Sequence, residues 1–275
     1  MKYLEVMERR VYKYLRVQKA IDFLKERRVT FVKLHMWSDP TEKAFSRATI
    51  MTRDGHKVET LPLVYALCVT SNQASEAAWV VYQHIKKSAD DDQAAKGKKN
   101  MKGKESIVRG CVKFSIKFKE FLSQIEEWAT ENDYELYVCR VHYFDWKKMK
   151  KVQNLDSDFQ RMVFEKDAPF IENYLRLLSL KRIPYEYENE IRLFLVRWSC
   201  EGNQTTESID VTVDWGTCLN QDVYYGDECE PTSIENLRNA CTSASTKLQV
   251  KKSTLGKPRR HLTIQVPYNF NEINL

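Results

Sequence analysis

Tyr185-Glu186-Tyr187-Glu188-Asn189-Glu190-Ile191-Arg192-Leu193-Phe194-Leu195-Val196-Arg197-Trp198 is the stretch on which the fold turns. From Ile191 onward the run is apolar on both alternating faces apart from its arginines, so it belongs in the middle of a sheet. Ahead of it, carboxylates recur at every second position. In an extended chain Glu188, Glu190 and Arg192 project from one face, joined by Glu186 if the extension begins early enough. Carboxylates crowded together raise one another's pKa unless a cation compensates, an arrangement suited to orienting a hydroxyl or stabilising a developing positive charge. The plainer alternative is an exposed strand entrance in which Arg192 neutralises its neighbours.

Working outward from this strand, the rest of the chain alternates short strands and helices. Val11 to Leu15 reads as a strand, Ala20 to Arg28 as a helix, Val29 to Leu34 as a second strand, and Thr41 to Ala48 as a short helix after the break at Ser38-Asp39-Pro40. Leu61 to Thr70 is a buried strand, and Ser75 to Ile85 a helix carrying Trp79 and Tyr82 on one face. Residues 88–104 lose apolar periodicity and become rich in Asp, Lys and Gly, which predicts a mobile basic loop. Strand Cys111 to Ile116, helix Phe118 to Trp128, strand Leu136 to Tyr143 and a long helix over Phe159 to Leu180 follow. After the acidic stretch come strand Ile209 to Val213, helix Ser233 to Cys241 and terminal strands near Leu248 and Leu262. No repeat or linker divides the chain, so the expectation is a single α+β domain over residues 1–275, a mixed sheet with flanking helices.

Composition narrows the class further. The 275 residues are 43% hydrophobic and 30% charged, with 8 Gly and 7 Pro, which excludes collagen-like, low-complexity and wholly disordered chains. The longest apolar run, Leu61 to Val69, is too short to cross a bilayer, and residues 1–10 carry charges where a signal peptide needs an apolar stretch. The expectation is a cytoplasmic protein with no membrane partner. Seven cysteines with no CxxC pair read as reduced, structural thiols, and no metal site is expected. The net charge of +6 is a mild bias. Lysine-rich clusters at 96–104, 147–151 and 251–260 are solvated faces or loops unless a nucleic acid uses them.

Outside the acidic stretch, four further places offer chemistry. Tyr12-Lys13-Tyr14 puts two aromatics on one strand face and a lysine on the other, which core packing plus an exposed lysine also explains. Ser71 follows the apolar run at a strand's C-terminal end, as a ligand group or as a helix cap. Trp79 and Tyr82 stack on a planar ligand or pack as a core pair. Asp39 and Glu42 bind a metal or a hydroxyl, or simply start a helix. GxGxxG, Walker A, GxSxG and HExxH patterns are absent from the sequence, so the activities those motifs signal are set aside.

The ordered set Tyr12-Lys13-Tyr14, Ala20-Ile21-x-x-Leu24, Ser38-Asp39-Pro40-x-Glu42, Cys68-x-x-Ser71, Trp79-x-x-Tyr82, Gly110-Cys111 and Lys181-x-x-x-Tyr185-x-x-Glu188-x-Glu190-x-Arg192 resembles the bacterial domain-of-unknown-function family 2971. The likeness spans most of residues 11–198 and includes Val250-Lys251-Lys252-Ser253. The chain departs from the family at Ser38, where asparagine is usual, and at Tyr185, where tryptophan is usual. The family's layout is similar to that of ADP-ribosyltransferase-fold toxins and their DNA-modifying relatives. That resemblance implies NAD as substrate, a protein or nucleic-acid acceptor, and a bacterial defence or toxin effector with an antidote or defence partner. It implies Glu190 as the carboxylate facing the ribose and Glu188 as the group orienting the acceptor. Tyr12 and Tyr82 would hold the nicotinamide end and Ser71 the ribose, with Lys13, Tyr14, Trp79 and Arg192 lining the substrate site. Glu190→Gln is then expected to slow the reaction while leaving folding intact. The alternative function is a non-catalytic module that binds nucleic acid or another ligand.

Overall fold

The computed structural model describes residues 2–4, 9–37, 39–50, 56–58, 60–73, 79, 110–145, 165, 167–198, 206–245 and 247–253, the first three by backbone alone. Lys2–Leu4 forms β1, Arg10–Arg16 β2 and Val17–Lys25 the helix α1. Val17, Ala20, Ile21 and Leu24 are the buried positions of α1, the spacing of one helix face turned to the core. β3 is Arg28–Lys33 and α2 is Pro40–Ser46. Pro40 opens α2 and the Asp39 carboxylate accepts the Thr41 N–H at 2.7 Å, so the helix-start reading of Asp39 holds. Leu63–Thr70 is β4, Cys111–Lys117 β5, Phe118–Glu131 α3, Glu135–Arg140 β6 and His142–Phe144 β7. Phe170–Leu177 is α4, Leu180–Arg182 β8 and Glu190–Arg197 β9. Ser208–Thr212 (β10), Trp215–Cys218 (α5), Leu219–Tyr225 (β11), Pro231–Ala244 (α6) and Gln249–Lys252 (β12) complete the described elements.

The architecture is α+β, a large mixed sheet with flanking helices. Ten of the described strands share the sheet in the order β1-β6-β9-β4-β2-β5-β11-β12, with β3 and β10 joined through β4. As its sequence requires, β9 lies inside, paired antiparallel to β4 from Leu63↔Arg197 to Thr70↔Glu190 and to β6 on its other side. The free edge of β4 forks. Its first half pairs with β3 at Val32↔Ala66 and Lys33↔Tyr65, whereas its last residue pairs with β2 at Tyr12↔Thr70. One sheet face packs on α1, α3, α5 and α6 through a core that includes Val11, Leu24, Phe114, Phe121, Leu193, Trp215 and Leu237. On the opposite face, α4 covers Tyr137, Phe194 and Val196, while Tyr12, Tyr14, Trp79 and Cys111 form a separate aromatic cluster.

Three sequence expectations change. The long helix over 159–180 is cut short, because Pro169 cannot sit inside a helix and instead precedes α4, and Leu180 already belongs to β8. The strand read over 136–143 divides at Val141. That residue's N–H reaches Glu190 O (3.0 Å), where β9 begins, and the chain then turns to pair with β8 at His142↔Leu180. The extended stretch through Glu186 and Glu188 is a 3-10 turn, Ile183–Glu188, with Pro184 in its first positions. Asn189 ends it at φ 45°, a left-handed conformation that asparagine tolerates, and extension starts at Glu190. The strand β11 was not anticipated. Loop 88–104, the helix at 75–85 apart from Trp79, the positions 159–164 and the strand near Leu262 lie outside the described residues. No helix among the described residues is long and apolar enough to cross a membrane.

Candidate functional site

Where β4 meets β9, Cys68 pairs with Arg192 and Thr70 with Glu190, and these side chains share the sheet face that carries α4 and the aromatic cluster. Lys181 enters from β8 and Glu42 from α2, so four elements converge on one set of charges. Lys181 Nζ contacts Glu188 Oε2 at 2.6 Å, Glu190 Oε2 at 2.7 Å and Glu42 Oε1 at 3.8 Å. Arg192 Nε reaches Glu190 Oε1 at 2.6 Å, its terminal nitrogens bond Glu42 and the Leu178 carbonyl, and its guanidinium lies 4.3 Å from the Trp37 ring centroid. The Glu190 N–H donates to Tyr143 Oη at 2.9 Å. Glu188 thus joins its partners despite leaving the strand, because the turn bends it back over Lys181.

Burial sorts the carboxylates into different roles. Glu190 is 5% exposed and Arg192 0%, so neither lies open to solvent, and Glu42 is likewise buried. Burial disfavours the Glu190 charge, yet Arg192 and Lys181 outweigh it and hold this carboxyl well below its usual range. Burial raises Glu42, opposed by Arg192 and Lys181. Glu188 is partly exposed at the rim. Burial pushes its pKa up to about 7, with Lys181 opposing and the Glu190 charge adding to the rise. Burial works against the Lys181 ammonium, but its three carboxylates raise its pKa above the ordinary lysine value. The network therefore contains one fixed carboxylate and one that titrates near neutrality, a pairing that supports proton transfer.

The turn carrying Glu188 is fastened to the end of β4. Thr70 Oγ1 donates to Glu188 O, Ser71 N and Oγ to Asn189 O at 3.1 and 3.3 Å, and Asn72 Nδ2 to Tyr187 O at 3.4 Å. Ser71 therefore stands beside the turn that carries the acidic pair, and the start of the helix it would cap lies outside the described residues. Tyr12, paired with Thr70, lies next across the same face, and Tyr14 donates its hydroxyl to Gln73 O at 3.1 Å. Trp79 packs edge-on to Tyr14 with centroids 5.6 Å apart. Lys13 does point away from the tyrosines, but not into open solvent. It donates to Cys68 O at 2.6 Å inside the fork, and burial lowers its pKa. Tyr82 lies outside the described residues.

Sequence reading missed Lys181 as a site residue and weighed Glu42 without finding its partner. A lysine closing the apolar run Leu177-Leu178-Ser179-Leu180 was the available signal, since a charge there is buried only with counter-charges beside it. Among the described residues no group of three or more His, Cys, Asp or Glu is arranged to hold a metal ion.

No family model matches the chain, so its likeness to family 2971 stays a likeness of motif order. No curated protein matches it either. Among solved structures, Thermus sp. 2.9 DarT in complex with ADP-ribosylated ssDNA is similar over 92% of this chain and 95% of that one, at 7% identity and a TM-score of 0.29. A likeness at that score carries no argument about mechanism.

Proposed function

We propose that this chain is an NAD-dependent ADP-ribosyltransferase-like enzyme whose acceptor is a macromolecule. The observation that carries this reading is the joining of two unlike carboxylates, Glu188 and Glu190, through the single Lys181 ammonium. In the reaction the C–N bond between ribose and nicotinamide breaks, its electron pair leaves with nicotinamide, and positive charge develops on the ribose. The fixed negative charge of Glu190 stabilises that charge from within the sheet. The acceptor nucleophile then bonds to the ribose carbon and gives its proton to Glu188, whose pKa near 7 suits a base at neutral pH. Tyr12 and Ser71 flank the pair, Tyr12 toward the nicotinamide end and Ser71 toward the ribose. Lys181 and Arg192 keep both carboxylates in place.

The test uses NAD labelled separately in nicotinamide and adenine, incubated with the purified chain and mixed protein, DNA and RNA acceptors. Nicotinamide release and transfer of the adenine label are expected, and Glu188→Gln slows both by on the order of 100-fold. Absence of NAD binding and of turnover with every acceptor overturns the reading.

One observation favours a second reading. Both Glu190 oxygens are satisfied inside the protein, so the network is also complete as a structural clamp. The chain is then a binding module, recognised by steeply salt-dependent ligand binding without NAD consumption.

A further inference from the structure

Lys113 is a buried cation that the reaction above does not use. It projects from β5 on the face that carries Tyr12 and Tyr14, pairing with Tyr14 across one strand boundary and with Tyr224 across the other. It is 7% exposed, as buried as Lys181, but its surroundings are of another kind. Lys181 has three carboxylates around it, whereas Lys113 has no ion pair among the described residues. Its ammonium lies 5.6 Å from the Tyr12 ring centroid and 4.7 Å from that of Tyr224, and its one hydrogen bond goes to Gln73 O at 3.1 Å. An ammonium carries three N–H donors, so two have no hydrogen-bond partner among the described residues. Burial lowers its pKa, with no neighbouring charge to oppose the fall.

A second orphan lies beside it. The Trp79 indole N–H is buried with no hydrogen-bond partner among the described residues. Trp79 packs on Tyr14, and the Tyr14 hydroxyl bonds the same Gln73 carbonyl that Lys113 uses. A strand lysine and a tryptophan distant in sequence are therefore joined to one aromatic cluster through Tyr14, each with donors unpaired among the described residues. Buried donors are nearly always paired in folded proteins, so a half-satisfied ammonium and an unpaired indole N–H in one cluster are the donors an anionic ligand would complete. The complement is negatively charged, has several acceptor oxygens and tolerates aromatic walls.

We propose that Lys113 and Trp79 form a seat for a phosphate group, walled by Tyr12, Tyr14 and Tyr224. β5 lies three strand spacings from β9, about 14 Å across the sheet. A phosphate held there belongs to a ligand that extends along this face. The phosphate comes either from the pyrophosphate of a dinucleotide or from the backbone of an oligonucleotide. The inference needs no turnover and stands apart from the ADP-ribosyl transfer reading.

Inorganic pyrophosphate is the probe, titrated into the full chain in phosphate-free, low-salt buffer and followed by calorimetry and phosphorus NMR. Saturable binding is expected, with Lys113→Met weakening it at least tenfold, Lys113→Arg retaining it, and Trp79→Phe, which keeps a ring but drops the N–H, weakening it several-fold. The Lys113→Met melting temperature should not fall, because the side chain removed is a buried cation without a counter-charge. No saturable binding by wild type, or equal binding by Lys113→Met, overturns the proposal. If Lys113→Met fails to fold, undiminished binding by Trp79→Phe overturns it. Repeating the titration with NAD and with a short single-stranded oligonucleotide identifies the source, since Lys113→Met weakens only the ligand whose phosphate sits there; a variant that binds both as wild type does overturns the proposal. A chain that binds pyrophosphate through Lys113 yet consumes no NAD refutes the transfer reading and supports this one. A chain that consumes NAD and ignores pyrophosphate does the reverse.

Discussion

Replacing Glu188 by glutamine should change how stability depends on pH. The Glu188 carboxyl titrates at about 7 in the folded chain against an ordinary 4.5. Over that window the folded chain holds a proton that the unfolded chain has released. The stabilisation from this group is thus complete below pH 4.5 and disappears as pH rises through 7. The difference corresponds to at most about 3 kcal/mol. Glu190 acts with the opposite sign: held below its usual range, it stabilises above pH 4.5 and its contribution is lost as pH falls below that. Glutamine does not titrate, so Glu188→Gln removes the downward slope between pH 4.5 and 7 and leaves the acid limb. Glu42 remains in both chains, and because Glu188 and Glu190 interact through Lys181 the acid limb shifts as well, so the Glu188 contribution is read from the difference between the curves over pH 4.5–7. Urea unfolding at half-unit steps from pH 4 to 8 measures it. A difference curve that is flat over 4.5–7, or that rises with pH, refutes the assignment of the neutral-range proton to Glu188.

The other predictions concern positions where geometry fixes the outcome. Glu190→Gln should destabilise the fold by about 3–5 kcal/mol in urea titrations, because it leaves Arg192 and Lys181 buried with too little counter-charge; an unchanged midpoint would show that the network relaxes freely. Gly110 has φ 115°, and a Cβ there would lie 2.4 Å from Cys229 Sγ and 2.9 Å from Cys229 Cα, so Gly110→Ala should cost more than about 1 kcal/mol in thermal unfolding. Tyr143→Phe removes the acceptor of the Glu190 N–H and should cost about 1–3 kcal/mol, measured by the same denaturant assay.

Elements whose hydrophobic period is local were legible from sequence. α1 and α3 repeat apolar residues at helical spacing, β4 and β9 are continuous apolar runs covered on both faces, and their positions follow directly. Period alone did not reveal where proline overrules it, at Pro169 and Pro184, or where a strand changes partner, at Val141. The acidic stretch was legible as a cluster of charges, but its environment was not. Glu42 and Arg192 lie 150 positions apart, and only the packing of α2 over β9 makes them neighbours. That same burial is the ground for predicting a stability loss in Glu190→Gln, where the charge pattern in the sequence alone leads one to expect intact folding. Lys181 and Lys113 illustrate the same gap, since each reads as an ordinary lysine until the sheet closes round it.

The fork in β4 has a mechanical consequence. Along one edge β4 is tied to β9 from end to end, while β2 touches its other edge at Tyr12↔Thr70 alone. The block β2-β5-β11-β12 therefore hangs from the remainder of the sheet by one backbone bridge, and a small rotation about Thr70 costs few interstrand hydrogen bonds. Thr70 is also the residue that fastens Glu188, and Tyr12 is the wall that faces Lys113. The block is still packed to the rest of the sheet, since Val11, Phe114 and Val223 share one buried core with Tyr65, Val138 and Leu193, so any change in the separation between the carboxylates and the lysine has to be taken up within that core. Amide exchange at the Tyr12–Thr70 bridge should accordingly outpace exchange along β9, which is paired on both sides.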